Sequence, residues 1–173
     1  MRLFIAIEPS QDMIRAMTLL QDRLRAAGVT GRYMAPPGLH LTLAYIGEWQ
    51  EDVSGLLPEI EEDPISFTLS RIGVFPGAKV LWAGPEASGP LESLASLVRR
   101  RLDSAGVPFD WKPFNPHVTL IRKPFVPNDE ILAGIRVPGV SMTVRQVCLY
   151  RSDHTDAGAK YTVIARGGTE GPV

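Results

Sequence analysis

"LHLTLAYIG" occupies residues 39–47 and "PHVTLIRK" residues 116–123. The chain has three histidines, and two of them open nearly the same tetrapeptide: histidine, apolar residue, threonine, leucine. In a β-strand, residues two apart share a face. His40 and Thr42 therefore point one way while Leu41 and Leu43 point the other, and His117 and Thr119 are divided in the same manner from Val118 and Leu120. Each copy combines a polar face with an apolar one.

The repetition extends beyond the motif. "RLRAAGV" at 23–29 returns as "RLDSAGV" at 101–107, 78 residues on, while the two histidines are 77 apart. "RLFIAI" at 2–7 aligns at the motif offset with "KVLWAG" at 79–84, both short apolar runs of the buried-strand type. A period near 77 is too long for a solenoid and marks an internal duplication that builds two similar lobes.

Helical spacing is clear in each half. Met13, Met17, Leu20, Leu24 and Ala27 fall on one face between an N-cap at Ser10 and a closing Gly28. Leu91, Leu94, Val98, Leu102 and Ala105 do so between Pro90, read as the first helical residue, and Gly106. Weaker helical segments are predicted near 51–61 and 128–134, and β-rich runs at 65–73 and 141–151. The last run pairs with 161–166 across a loop at 152–160, and the Gly/Pro-rich tail after Arg166 is read as frayed. The expected fold class is α+β. Two pseudo-symmetric lobes from the duplication carry mainly antiparallel sheets flanking a central cleft, with helices outside, and residues 1–173 form a single bilobal domain.

Composition sets the limits. A chain of 173 residues that is 45% apolar can bury a full core. Its one cysteine, Cys148, forms no internal disulfide, and no signal-peptide pattern opens the chain, so a cytoplasmic location is expected. No apolar run approaches the roughly 20 residues of a membrane span. A net charge of −1 denies the protein a broad basic surface, so an anionic ligand must be met locally.

If the lobes are related by a pseudo-twofold axis, both motifs face one cleft holding two imidazoles and two hydroxyls. Imidazole titrates near 6.5, so one ring can accept a proton while its partner donates one. Core packing explains the retained leucines and Val118 but not the retained His and Thr. A metal site is the competing chemistry, yet the motif has no cysteine or carboxylate at ligand spacing and no His-x-x-x-His. Phe4, Tyr33, Tyr45, Phe75 and Phe114 are all available for stacking a base, and most serve equally well as core. His154, in the expected hairpin loop, is read as a surface residue.

"RLFIAIEP", "LHLTLAYIGE", "FPGAKVLWAG", "NPHVTLIRK" and "LYRSDHTDAGAKYTVI" together resemble the RNA 2′,3′-cyclic phosphodiesterases, or 2′-5′ RNA ligases, of the 2H phosphoesterase superfamily. The likeness spans nearly the whole chain. It implies a bilobal fold with a central cleft, and metal-free hydrolysis of RNA or nucleotide 2′,3′-cyclic phosphodiesters to 2′-phosphomonoesters. It also implies reversible 2′-5′ ligation; no cofactor, no membrane association and no obligate protein partner are expected. By the same resemblance His40 is the proton donor to the departing 3′ oxygen and His117 the proton acceptor that activates water. Arg122 matches an arginine that many members keep, and with the hydroxyls of Thr42 and Thr119 it is expected to bind substrate. The first copy departs from the family pattern, with Ala44 and Tyr45 where a basic residue commonly follows, so an asymmetric site is expected. Two other readings stand beside this one: a non-catalytic module for nucleotides or RNA ends, and a 2H phosphodiesterase for another cyclic phosphate or a 2′-5′ linked substrate.

Overall fold

A computed structural model describes residues 1–60, 64–86 and 88–167. In chain order the elements are β1 (Arg2–Ile7), α1 (Gln11–Ala26), β2 (Thr30–Tyr33), a 3-10 turn (Pro36–Gly38), β3 (Leu41–Glu48) and a second 3-10 turn (Ser54–Leu56). There follow β4 (Ile65–Thr68), β5 (Arg71–Phe75), β6 (Val80–Gly84), α2 (Gly89–Ser104), β7 (Val118–Phe125), α3 (Glu130–Gly134), β8 (Ser141–Val144), β9 (Val147–Thr155) and β10 (Gly158–Gly167).

Both long helices form where the spacing places them. Ser10 Oγ accepts from Met13 N at 3.2 Å, and Gly28 closes α1 with φ +89°. Met13, Met17, Leu20 and Leu24 are buried against the sheet, each burial stabilising by about 1.5–3 kcal/mol relative to exposure. Ser88 caps α2 through Leu91 N, which puts Pro90 at the second helical position rather than the first. Ala27 and Ala105 are cap residues and not part of the buried faces.

Several expectations need correction. Over 51–60 only the three-residue turn Ser54–Leu56 is helical, because Pro58 holds Leu57 in an extended conformation; residue 61 lies outside the described residues. Each β-rich run is two strands, β4 with β5 and β8 with β9. The hairpin strands run on to Thr155 and resume at Gly158, so the loop expected over 152–160 shrinks to a two-residue turn and His154 sits exposed on a strand. Of the tail after Arg166, Gly167 still belongs to β10, and 168–173 lie outside the described residues. β2 has no apolar alternation, and it is a strand because β7 pairs with it.

The main sheet has the order β10-β9-β1-β3-β7-β6-β5, with β2 beside β7, and β4 and β8 form a separate ribbon. Its strand pairs are antiparallel, which gives the α+β class. Leu41 pairs with Val118 and Ser66 with Thr143. Both pairs are separated by 77 residues, so both lie on the axis relating the halves. Ile7 faces Leu41 as Ala83 faces Val118, which sets the offset of β1 and β6 at 76, one less than the sequence alignment of these strands.

Elements cross that axis. β2 of the first half pairs with β7 of the second, and Met34 N donates to Leu120 O at 2.9 Å. In the reverse direction Asp110 N donates to Tyr45 O at 2.8 Å. Leu41, Leu43, Val118 and Leu120 join the core with both long helices. The opposite face of β3 and β7 is left to the cleft.

Candidate active site

A cavity of about 810 Å³ opens where β3 and β7 meet, and His40, Thr42, His117, Thr119 and Arg122 all line it. The alternation read in the two tetrapeptides accounts for the first four. Arg122 is three residues beyond Thr119, and a regular strand would turn it to the other face. A β-bulge resolves this. Trp82 lies opposite Thr119 and Leu81 opposite Ile121, so Leu120 is an extra residue, and Leu120 and Ile121 are buried in succession. The first half repeats the device at Leu43, between Thr42 opposite Ala6 and Ala44 opposite Ile5, which turns Tyr45 into the cleft.

Each bulge is held from the opposite half. Gln21, buried on α1, donates from Nε2 to Leu120 O at 3.0 Å and to Met34 O at 2.9 Å. Arg99, on α2, donates from Nε to Leu43 O at 3.1 Å and from Nη1 to Lys112 O at 2.8 Å.

Backbone carbonyls set the histidine tautomers. Nδ1–H of His117 donates to Asn115 O at 2.7 Å, and Nδ1–H of His40 donates more weakly to Pro37 O at 3.4 Å. In both neutral rings Nε2 then carries the free lone pair. Burial pushes His40 down to about 4, helped by the positive charge of Arg122 and by His117 and opposed by the Pro37 carbonyl. Its ring is packed by Phe4, Tyr150 and Tyr161, with centroids 4.6, 5.3 and 5.0 Å away. His117 is also lowered by burial, opposed by Asn115 O and assisted by Arg122. Phe75 meets its ring edge-on at 5.0 Å.

The five aromatic candidates separate. Phe4 is buried beneath His40, and Tyr33 lies outside the cavity with its hydroxyl on Val29 O at 2.7 Å. Tyr45, Phe75 and Phe114 line the cleft. His154 does not. The sequence reading missed Arg99 and Lys112, both at the cavity wall, with Lys112 held by Asp110 at 3.2 Å. Arg99 was legible in principle, since it is the counterpart of Gln21 at the 78-residue offset of the helices.

A family model described as the 2′-5′ RNA ligase superfamily matches residues 8–156. This chain belongs to that superfamily. Among its relatives, an RNA 2′,3′-cyclic phosphodiesterase of Methanothermobacter thermautotrophicus is 30% identical, covering 93% of this chain and 95% of that protein. One of Thermotoga maritima is 28% identical, covering 95% and 93%. The superfamily's fold is matched by the crystal structure of Escherichia coli LigT complexed with 3′-AMP. That match has a TM-score of 0.76 and 27% identity, with 95% of each chain covered.

Proposed function

We propose that the cleft hydrolyses 2′,3′-cyclic phosphodiesters, on RNA ends or nucleotides, to 2′-phosphomonoesters. The observation that carries this is the pair of histidines, one from each half, that line the same cavity while their Nδ1–H groups are taken by backbone carbonyls, which leaves Nε2 of each ring for proton transfer. The names of the superfamily relatives supply the substrate class.

In the proposed reaction His117 Nε2 removes a proton from water as the water oxygen bonds to phosphorus. The P–O3′ bond breaks and His40 gives its Nε2 proton to O3′, so one proton passes from water to the product hydroxyl. Arg122, Thr42 and Thr119 hold the non-bridging oxygens, where charge accumulates. With a 5′-hydroxyl in place of water the same displacement yields a 2′-5′ linkage.

His40 must carry a proton to act as the acid, yet in the empty cleft it is neutral at pH 7. A bound diester acts in the opposite direction. Its negative charge offsets that of Arg122 and raises the imidazole pKa, so substrate binding takes up a proton.

We further read residues 1–173 as a single bilobal domain, because β2 and the segment at Asp110 cross between halves and neither half holds both histidines. No helix among the described residues is long and apolar enough to cross a membrane. A cytoplasmic location is part of the proposal, supported by the buried free thiol of Cys148. The deciding experiment is incubation with a 2′,3′-cyclic nucleotide and identification of the phosphate position. A 2′-phosphate is expected. Binding without turnover makes the protein a nucleotide-binding module instead.

A further inference from the structure

Beside the cleft lies a second basin of about 460 Å³, lined by Arg32, Tyr33, Thr155, Lys160 and Tyr161 among others, with no carboxylate in its wall among the described residues. Two features join it to the cleft. Tyr161 lines the basin while its ring stands 5.0 Å from that of His40. Arg32 is the direct partner of Arg122 across the β2–β7 ladder, so the two side chains share a face.

That second relationship is unfavourable as it stands. Like charges directly opposite in a sheet repel, and among the described residues neither guanidinium has an acidic partner within 4.0 Å. The Arg32 side chain is exposed and runs along the β9–β10 turn. A Cβ at position 158 would come within 2.6 Å of Arg32 Nη2, so the glycine of the β9–β10 turn, at φ +112°, makes the room in which the guanidinium lies. Lys160 faces Asp153 across the same hairpin, but that carboxylate already accepts from Arg151 Nε at 2.8 Å. The basin therefore presents two exposed cations to an incoming anion. The nearest anion to a phosphate in the cleft is the next phosphate of the same strand, one ribose away on the 5′ side.

We propose that this basin binds the internucleotide phosphate adjoining the reacting one, so that the preferred substrate is an oligoribonucleotide ending in a 2′,3′-cyclic phosphate. This rests on the cyclic-phosphodiesterase reading of the cleft. Arg32 and Lys160 are the phosphate ligands, and Arg32 with Arg122 spans consecutive phosphates.

The test compares wild type, Arg32→Gln and Lys160→Gln on a cyclic mononucleotide and on a pentaribonucleotide ending in a 2′,3′-cyclic phosphate. Binding of the pentamer with a 3′-phosphate is measured beside them by fluorescence anisotropy. Wild type should favour the pentamer. Arg32→Gln should lower kcat/KM and affinity for the pentamer about tenfold, the worth of a charge-assisted hydrogen bond, with mononucleotide turnover unchanged. The log–log salt dependence of pentamer binding should become shallower by about 0.7 for each phosphate that is no longer neutralised. Equal losses on both substrates, or pentamer binding and salt slope unaltered in both variants, overturn the basin. Absence of turnover on either substrate removes the proposed reaction, whereas Arg32-dependent pentamer binding in that case still upholds the basin.

Discussion

Gln21 and Arg99 stand 78 positions apart and perform one task in opposite directions. Each reaches from its helix to the carbonyl of the bulged leucine in the other half's motif strand, Leu120 and Leu43 respectively. Gln21→Leu leaves Met34 O without its side-chain partner and removes one bond from Leu120 O. A loss of about 1–3 kcal/mol is expected in chemical denaturation, the usual cost of unpairing a buried polar group. Turnover should fall as well, because that bulge brings Arg122 to the cleft beside Thr119.

If the two motifs are one catalytic unit, His40→Ala and His117→Ala should each lower kcat by roughly 10²- to 10⁴-fold. The double variant should lose less than the product of the single effects, since groups acting together are not additive. Single-turnover rates beside melting curves check this. Wild-type turnover in His40→Ala, or inactivity that only follows unfolding, contradicts a shared cleft.

The pKa of His40 is expected near 4 in the free protein and higher in the complex, because a bound anion stabilises the imidazolium. NMR titration of the imidazole protons with and without a 2′-nucleotide measures both values. Removing Arg122 takes away a positive charge that lowers both rings, so Arg122→Ala should raise both pKa values in the empty cleft. The same variant should lower kcat about 10²- to 10³-fold, the cost of removing a donor to a developing oxyanion.

The depressed imidazoles also link stability to pH. Their folded pKa values lie below the unfolded value near 6.5, so the unfolded chain binds more protons below that value, for His40 down to about 4. This contribution is complete above about 6.5 and is lost as pH falls toward 4. For His40 it is at most about 3 kcal/mol. Urea melts across that window should show a shallower pH slope for His40→Asn than for wild type, and identical slopes would contradict the buried neutral ring.

The proposed acid–base scheme assigns no step to a metal. Hydrolysis of a cyclic nucleotide should therefore persist in excess EDTA, and activity that disappears on chelation and is restored by a divalent ion would contradict it.

Periodicity and repetition by themselves determined the long helices, the duplication and the polar face of each motif. His and Thr two apart in a strand must share a side, whatever surrounds them. What lay beyond the sequence depended on partners distant along the chain. β2 became a strand only because β7 pairs with it, and the segment at Asp110 crosses the axis in the same way. Arg122 came to the cleft because an extra residue at Leu120 breaks the alternation of two, and no local rule distinguishes that bulge from a regular strand. The stacking candidates were likewise inseparable by composition, since an aromatic ring suits a core and a cleft equally well. Tertiary packing put Phe4 beneath His40 and left Tyr45, Phe75 and Phe114 at the cavity. Local geometry is encoded locally, but which faces meet is decided by the burial of the whole chain.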